Sequence, residues 1–209
     1  ADLYNNYWDP IDYNNAYAAQ ISGLTLSPSS AYAVGTVQVT YKPGSGKGKK
    51  ATLGLVPALA GGFVKVVNKT TTTAAGSGAS ISVRRKSGTN TITVSGRVAL
   101  KRSLVKRSVT ISNPTRYAAH VFTRVLRSVG IAVAKSPSTG TAPKAALRVA
   151  SDSSVPLTTI VNLLMKPSNN GMTEHLFKTL GRVGGRAGTW KAGAAAVRAW
   201  LATTQVVPS

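Results

Sequence analysis

The polar triplet Ser168-Asn169-Asn170 lies at a break between two amphipathic segments of the sequence. A serine hydroxyl both donates and accepts a proton, and an asparagine side chain offers a carbonyl oxygen and an NH₂ group. Held by two helices, such a triplet can aim a hydroxyl and an amide into a cleft, where they would bind a peptide amide and relay a proton. The residues alone favour the other interpretation, a plain helix N-cap, because Ser and Asn are preferred at that position. Both interpretations stay open at this point.

The segments on either side of the triplet have helical periodicity. Apolar residues recur on one face of residues 156–165, and again in residues 174–181 and 189–204. The third segment carries Trp190 and Trp200, which we expect to pack in the core. The chain after residue 150 is therefore predicted to be mostly helical.

The part of the chain before residue 150 has the residue pattern of β-strands. Alternating apolar and polar residues separated by Gly, Pro, Ser and Asn turns predict strands at residues 19–26, 36–40, 63–67, 80–83 and 91–96. One helix interrupts this pattern, because Asn113 followed by Pro114 is a helix-start signal and Gly130 is a stop signal. Two further short strands are predicted at residues 131–133 and 147–151.

These elements predict an α+β fold with two regions. Residues 1–150 form a β-rich accessory region with one helix near 114–129, and residues 151–209 form a helical segment that carries the triplet. Residues 1–16 are rich in Tyr, Asn and Asp, and we expect their aromatic side chains to pack on another part of the molecule. The first residues are neither a signal peptide nor a start methionine, so we expect the chain to be part of a longer one.

Composition excludes several kinds of site. There is no cysteine, which excludes disulfides, zinc–thiolate sites and cysteine nucleophiles. Two histidines and five acidic residues are too few for a typical metal cluster. Both histidines, His120 and His175, fall on predicted helices and are interpreted as structural. No apolar run reaches the roughly 18 residues that a membrane helix needs.

Two short stretches partly match known functional motifs. Residues 44–50, GSGKGKK, lack the Ser or Thr that follows Gly-Lys in a phosphate-binding loop, so we interpret them as a hairpin tip. Residues 103–106 spell Ser-x-x-Lys, the pattern of a serine nucleophile and its lysine. Ser103 falls on a predicted strand of the accessory region rather than at a helix start, so we interpret this match as coincidence.

Six stretches of the sequence together resemble the low-molecular-mass, class C penicillin-binding proteins, which are D-alanyl-D-alanine carboxypeptidases and endopeptidases. They occur in the family's order and span almost the whole chain: AAQISGLTLSPSS, GTVQVTYKPG, GTNTITVSG, NPTRYAAHVF, SSVPLTTIVNLLMKPSNNGMTEHLFKTLG and GTWKAGAAAVRAWL. The resemblance implies a β-lactamase-like catalytic domain with three motifs, Ser-x-x-Lys, Ser-x-Asn and Lys-Thr-Gly.

By this resemblance, the triplet is the second motif. Ser168 would relay protons near the nucleophile and leaving group, Asn170 would bind the substrate amide, and Asn169 is the variable middle position. The resemblance implies no metal or cofactor, an extracytoplasmic location, and peptidoglycan stem peptides and β-lactams as partners once the site is complete. The other two motifs lie outside the matched stretches, so we expect this chain to be inactive alone.

The net charge suggests a different kind of function. Lys and Arg number 26 and Asp and Glu only 5, which gives +21. The alternative to a catalytic role is a non-catalytic module that binds a polyanion, either a wall polymer or nucleic acid, through clusters of basic residues: Lys47-Lys49-Lys50, Arg84-Arg85-Lys86, Lys101-Arg102, Lys106-Arg107 and Arg182-Arg186. Aromatic residues do not alternate with the basic residues in these clusters, which argues against nucleic acid as the partner. A deliberately supercharged scaffold is a third hypothesis.

Overall fold

The computed structural model describes residues 3–30, 32–141, 143–185 and 187–204. Its strands and helices confirm the α+β prediction. In chain order they are β1 (Thr36–Lys42), β2 (Thr52–Val56), β3 (Lys65–Thr73), β4 (Ser80–Arg85), β5 (Thr91–Ala99), β6 (Val105–Thr110), α1 (Pro114–Ser128), α2 (Leu157–Met165), α3 (Asn170–Gly185) and α4 (Trp190–Thr204). No described helix is both long enough and apolar enough to cross a membrane.

The six strands form two three-stranded sheets. One has the order β2-β1-β6 with antiparallel pairing, and the other has the order β3-β5-β4, in which β3 and β5 are parallel. The tip between β1 and β2 is held by Thr72 of β3, whose Oγ1 accepts a hydrogen bond from Gly44 N at 2.9 Å. Residues 44–50 therefore form a hairpin tip, as predicted.

The hydrophobic core lies between the two sheets and is closed by α1. Val37 and Val39 of β1 alternate with more polar residues and pack with Ile92 and Val94 of β5, all of them fully buried. Tyr117 of α1 is also fully buried in this cluster. Burial of this continuous apolar surface is the main stabilising contribution that unites the two sheets and the helix.

The predicted limits of α1 are confirmed by its capping geometry. Asn113 Oδ1 accepts a hydrogen bond from Arg116 N at 3.1 Å, and Pro114 occupies the first turn, where its missing N–H costs nothing. The helix ends at Ser128, and Gly130 follows with a φ of 86°, which glycine adopts without strain.

Three predicted strands are wrong. Residues 19–26 are irregular, although Ala19 and Ile21 are buried, and Ile21 N bonds to Leu3 O rather than to a strand. Residues 131–133 and 147–151 have no regular structure, and Val149 is 96% exposed. In the described part of the chain no strand pairs with these runs, and an unpaired strand is not stable in water. Conversely, β2 and the second half of β3 were not predicted, and β6 was predicted only as a strand without bounds around Ser103.

The three helices after residue 150 agree in type with the sequence prediction. The start of α3 lies at Asn170, four residues before the predicted start. α3 and α4 pack closely through glycines, since a Cβ on Gly193 would lie 2.6 Å from Phe177 O. Trp200 is 60% exposed, so the expectation that it packs in the core is wrong, whereas Trp190 is half-buried.

Candidate functional site

The predicted triplet forms the tight connection between α2 and α3. Met165 O accepts a hydrogen bond from Ser168 N at 3.2 Å, and Leu164 O accepts one from Asn169 N at 2.8 Å. Ser168 has a φ of 52°, in the left-handed region that non-glycine residues adopt at an energetic cost. Such strained residues persist where the surroundings fix them, and they are enriched at functional sites.

Asn169 is the N-cap of α3. Its Oδ1 accepts a hydrogen bond from Met172 N at 3.1 Å, and its Nδ2 donates to Tyr32 O at 3.0 Å. The middle residue of the triplet therefore has a structural role, in agreement with the N-cap interpretation. Local sequence could not decide between Asn169 and its neighbours, since Ser and Asn are both good caps.

The two outer residues of the triplet are left available for other interactions. Ser168 is exposed and Asn170 is half-buried. Within the described residues, neither the Ser168 hydroxyl nor the Asn170 side-chain amide has a hydrogen-bond partner. The structure thus separates the triplet into one capping residue and two polar side chains that a ligand can engage.

Gly171 lets the start of α3 approach the segment before β1. It is buried, and a Cβ at this position would lie 2.7 Å from Val34 Cγ2, which is too close for a real side chain. The hydrogen bond from Asn169 to Tyr32 fixes the same approach. This role of Gly171 was not predicted from the sequence, where its only local signal is a glycine directly after two asparagines.

Glu174 ties the first turns of α3 to two distant segments. Its Oε1 accepts a hydrogen bond from Asn5 Nδ2 at 2.8 Å, and its Oε2 accepts one from Trp190 Nε1. In the N-terminal segment, Tyr4 and Tyr13 stack with centroids 3.8 Å apart. Two aromatic rings of this segment therefore pack on each other rather than on another part of the molecule, and the segment contacts α3 through Asn5, while Tyr7 is 98% exposed.

Both histidines lie on helices and contact backbone carbonyl groups. His175 Nδ1 lies 2.6 Å from Gly171 O and Nε2 lies 3.1 Å from Ser22 O, while His120 Nε2 lies 3.2 Å from Gly61 O. These partners support the structural interpretation. Among the described residues no group of His, Asp and Glu could hold a metal ion.

A cavity of about 630 Å³ lies beside α3. His175, Lys178 and Arg182 of α3 line it, and the Lys178 Nζ atom lies 4.0 Å from the centroid of the Trp190 ring. Neither Ser168 nor Asn170 lines this cavity. The structure therefore does not bring the predicted pair together with these cations.

The literal Ser-x-x-Lys does not lie at a helix start. Ser103 precedes β6 and Lys106 lies within it, so Ser103 itself is in a loop rather than on the predicted strand. In a helix, positions i and i+3 share a face, whereas along a strand they point to opposite faces. This placement supports the interpretation that the match is coincidence.

Comparisons with known proteins agree with the sequence resemblance. The family described as D-Ala-D-Ala carboxypeptidase 3 (S13) matches residues 2–207. A D-alanyl-D-alanine carboxypeptidase from Actinomadura sp. is 35% identical over 189 residues, which is 89% of this chain and 35% of that protein. The chain thus spans about a third of the length of this curated relative.

Solved structures show the same fold. Penicillin binding protein 4 (dacB) from Haemophilus influenzae matches with a TM-score of 0.72 and 18% identity, over 99% of this chain and 44% of that one. The same protein complexed with a novel β-lactam matches with a TM-score of 0.62 and 21% identity, over 84% and 40% of the two chains.

Proposed function

Because this chain belongs to the D-Ala-D-Ala carboxypeptidase 3 (S13) family, we propose that it is the part of a serine-type carboxypeptidase or endopeptidase that supplies Ser168 and Asn170 to the active site. The observation that carries the proposal is that these two side chains, one exposed and one half-buried, flank the Asn169 cap and have no hydrogen-bond partner among the described residues. The family matches the chain over residues 2–207. The substrates are peptidoglycan stem peptides.

The proposed reaction is acyl transfer through an acyl-serine. A serine on a segment outside residues 1–209 attacks the carbonyl carbon between two D-alanines, while the Asn170 side chain binds the substrate amide. The Ser168 hydroxyl relays the proton lost by the attacking serine to the departing amine as the peptide C–N bond breaks. Water then hydrolyses the acyl-serine, and a β-lactam would acylate the same serine. The roles of Ser168 and Asn170 rest on the family resemblance, and the reaction uses no metal or cofactor.

This function places the protein outside the cytoplasm, where peptidoglycan is found. It also requires a nucleophile, a base and an oxyanion hole within hydrogen-bond reach of one another. Of the three motifs that the family resemblance implies, we assign one, the triplet with Ser168 and Asn170, to the described residues, and we propose that the chain does not form an acyl-enzyme by itself.

The first test is labelling of the 209-residue chain with fluorescent penicillin, followed by intact-mass measurement. We expect no adduct. An adduct abolished by Ser103→Ala would overturn the interpretation of Ser103 and of the chain as catalytically incomplete.

The second test is a chimaera in which residues 2–207 replace the matching segment of the Actinomadura carboxypeptidase. We expect acylation by penicillin, with losses of about 100-fold or more for Ser168→Ala, in the range found for a lost proton-transfer group. Asn170→Ala should also slow acylation, while Ser153→Ala, an exposed serine outside the triplet, should not. Equal rates for S168A and S153A in an active chimaera would contradict the proposed role.

A further inference from the structure

The sheet formed by β3, β5 and β4 has one face toward the core and one away from it. Ile92, Val94 and Val98 of β5 are buried, and the alternate residues Thr93 and Arg97 are half-exposed or exposed. Side chains alternate between the two faces of a strand, and residues paired across strands share a face. The strand register therefore assigns each residue of β3 and β4 to the inner or the outer face.

Four cations lie on the outer face, and together we call them the basic sheet face: Lys65, Lys69, Arg84 and Arg97. Lys65 and Lys69 of β3 pair with outward residues of β5, as does Arg84 of β4, and Arg97 lies on β5 itself. All four are exposed. The rise along a strand and the spacing between strands place neighbouring cations roughly 8–12 Å apart.

The charge of the basic sheet face is not compensated. Within the described ranges none of its four cations forms an ion pair, and the other outward residues of the three strands are mostly Ser and Thr. Asp12 lines a groove of about 510 Å³ together with Arg84 and Arg107, and its carboxylate offsets one of these two positive charges. The groove therefore has a smaller net positive charge than the sheet face itself.

One end of the basic sheet face contains a cleft suited to a phosphate group. Arg97 lines this cleft of about 420 Å³ together with the hydroxyl residues Thr73, Ser77 and Ser80. A guanidinium group binds phosphate oxygens in a bidentate manner, and hydroxyl groups donate to the remaining oxygens. The cleft therefore combines charge with hydrogen-bond donors rather than charge alone.

We propose that the basic sheet face binds a flexible phosphodiester polymer that carries no bases, of the polyol-phosphate kind found in bacterial walls. Successive phosphates of an extended polymer can reach cations spaced along and across the strands. No aromatic side chain lies on the outer face of β3, β4 and β5, so it has no platform on which bases could stack. A flat sheet face also cannot enter the major groove of a duplex as a helix or a ribbon does.

This inference does not depend on the catalytic proposal, since binding and acylation are measured separately. The probe is synthetic polyglycerol phosphate of defined length, and its affinity for the 209-residue chain is measured at about 50 and about 200 mM salt. With the salt dependence of single-stranded nucleic acid as a guide, four phosphate contacts would weaken binding about 50-fold over this range.

The test compares two variants with equal loss of charge. The first replaces the four cations of the basic sheet face by Gln, as K65Q/K69Q/R84Q/R97Q. The second, K42Q/K47Q/K49Q/K50Q, replaces four exposed lysines at and beside the β1–β2 hairpin tip. We expect the first to lose most of the affinity and most of the salt dependence, and the second to lose less than threefold.

Other results would overturn the proposal. The proposal is wrong if the unaltered chain does not bind the polymer at low salt. It is also wrong if the two variants lose equal affinity, because equal losses would indicate attraction by net charge without a specific site. Single-stranded DNA of equal length serves as the second probe. Tighter binding of this DNA through the same four cations would assign the face to nucleic acid instead. Circular dichroism of both variants must match the unaltered chain before binding is compared.

Discussion

The side-chain nitrogen Nδ2 of Asn169 donates a hydrogen bond to the backbone carbonyl of Tyr32 at 3.0 Å, across 137 residues of sequence. The same side chain caps α3 through its Oδ1 atom. One residue therefore fixes both the start of the helix and its position against the segment that leads into β1. Ser168 and Asn170 take their positions from this one anchor.

We predict that Asn169→Ala destabilises the protein more than Asn169→Asp does. Aspartate keeps the oxygen that caps Met172 N but loses the donor to Tyr32 O, whereas alanine loses both interactions. Loss of an N-cap costs about 1 kcal/mol. Urea unfolding measures the difference, with Asn162→Ala, an exposed position within α2, as control. Equal stability of N169A and the unaltered chain would show that the cap contributes nothing.

Local chemistry determined what could be predicted from the sequence. The start of α1 was predicted to the residue, because Asn113 and Pro114 act within one turn of chain. The start of α3 was missed by four residues, because a triplet of good capping residues does not say which one caps. The hydrogen bonds of the Asn169 cap leave the Ser168 and Asn170 side chains without partners among the described residues, which the sequence alone could not show. The catalytic roles of Ser168 and Asn170 stay a prediction.

Features that depend on distant residues were not predictable in this way. β3 and β5 pair in parallel. The alternation of apolar and polar residues within each strand does not show which strands pair. Residues 147–151 alternate as a strand does, yet the described structure holds no partner strand for them. Arg85 belongs to a predicted basic surface cluster but is only 4% exposed. Arg186, in another predicted cluster, lies outside the described residues.

Arg85 and Arg84 offer a matched pair for a stability test. The buried Arg85 guanidinium donates to Thr89 O at 3.0 Å and to Tyr13 O at 3.3 Å, whereas Arg84 is exposed on the opposite face of β4. We expect Arg85→Met to lower the free energy of unfolding by about 1–3 kcal/mol, because buried carbonyl groups lose their donors.

The control Arg84→Met removes the same charge and should change stability by less than about 0.5 kcal/mol, as exposed substitutions usually do. Both values come from urea unfolding followed by circular dichroism. If the two variants lose the same amount, net charge rather than the buried hydrogen bonds of Arg85 determines the effect.

Glu174 should be required for the packing of α4 and of the N-terminal segment on α3. Glutamine has an NH₂ group in place of one of the two carboxylate oxygens, so one of the donors Asn5 Nδ2 and Trp190 Nε1 would face another donor. We expect Glu174→Gln to lower stability by about 1–3 kcal/mol and to shift tryptophan fluorescence. Asp152→Asn, at an exposed position, makes the same chemical change without a partner to lose. An unchanged melting temperature for E174Q would contradict this role.

Tyr117 should make the protein unstable at alkaline pH. Its hydroxyl is buried without a hydrogen-bond partner among the described residues, and burial raises the pKa of this phenol above the ordinary value of 10.0. The unfolded chain ionises near pH 10 and the folded chain does not, so stability is complete below that pH and falls as pH rises above it.

Tyr117→Phe removes this effect and also the cost of the unpartnered hydroxyl. At pH 7 we expect Y117F to equal or exceed the unaltered chain in stability, by up to about 1 kcal/mol. Above pH 10 its advantage should grow by about 1.4 kcal/mol for each pH unit. Urea unfolding from pH 7 to 11 measures both quantities, with Tyr7→Phe, whose ring is 98% exposed, as control. A constant difference between Y117F and the unaltered chain over this range would show that the phenol ionises equally well in the folded state.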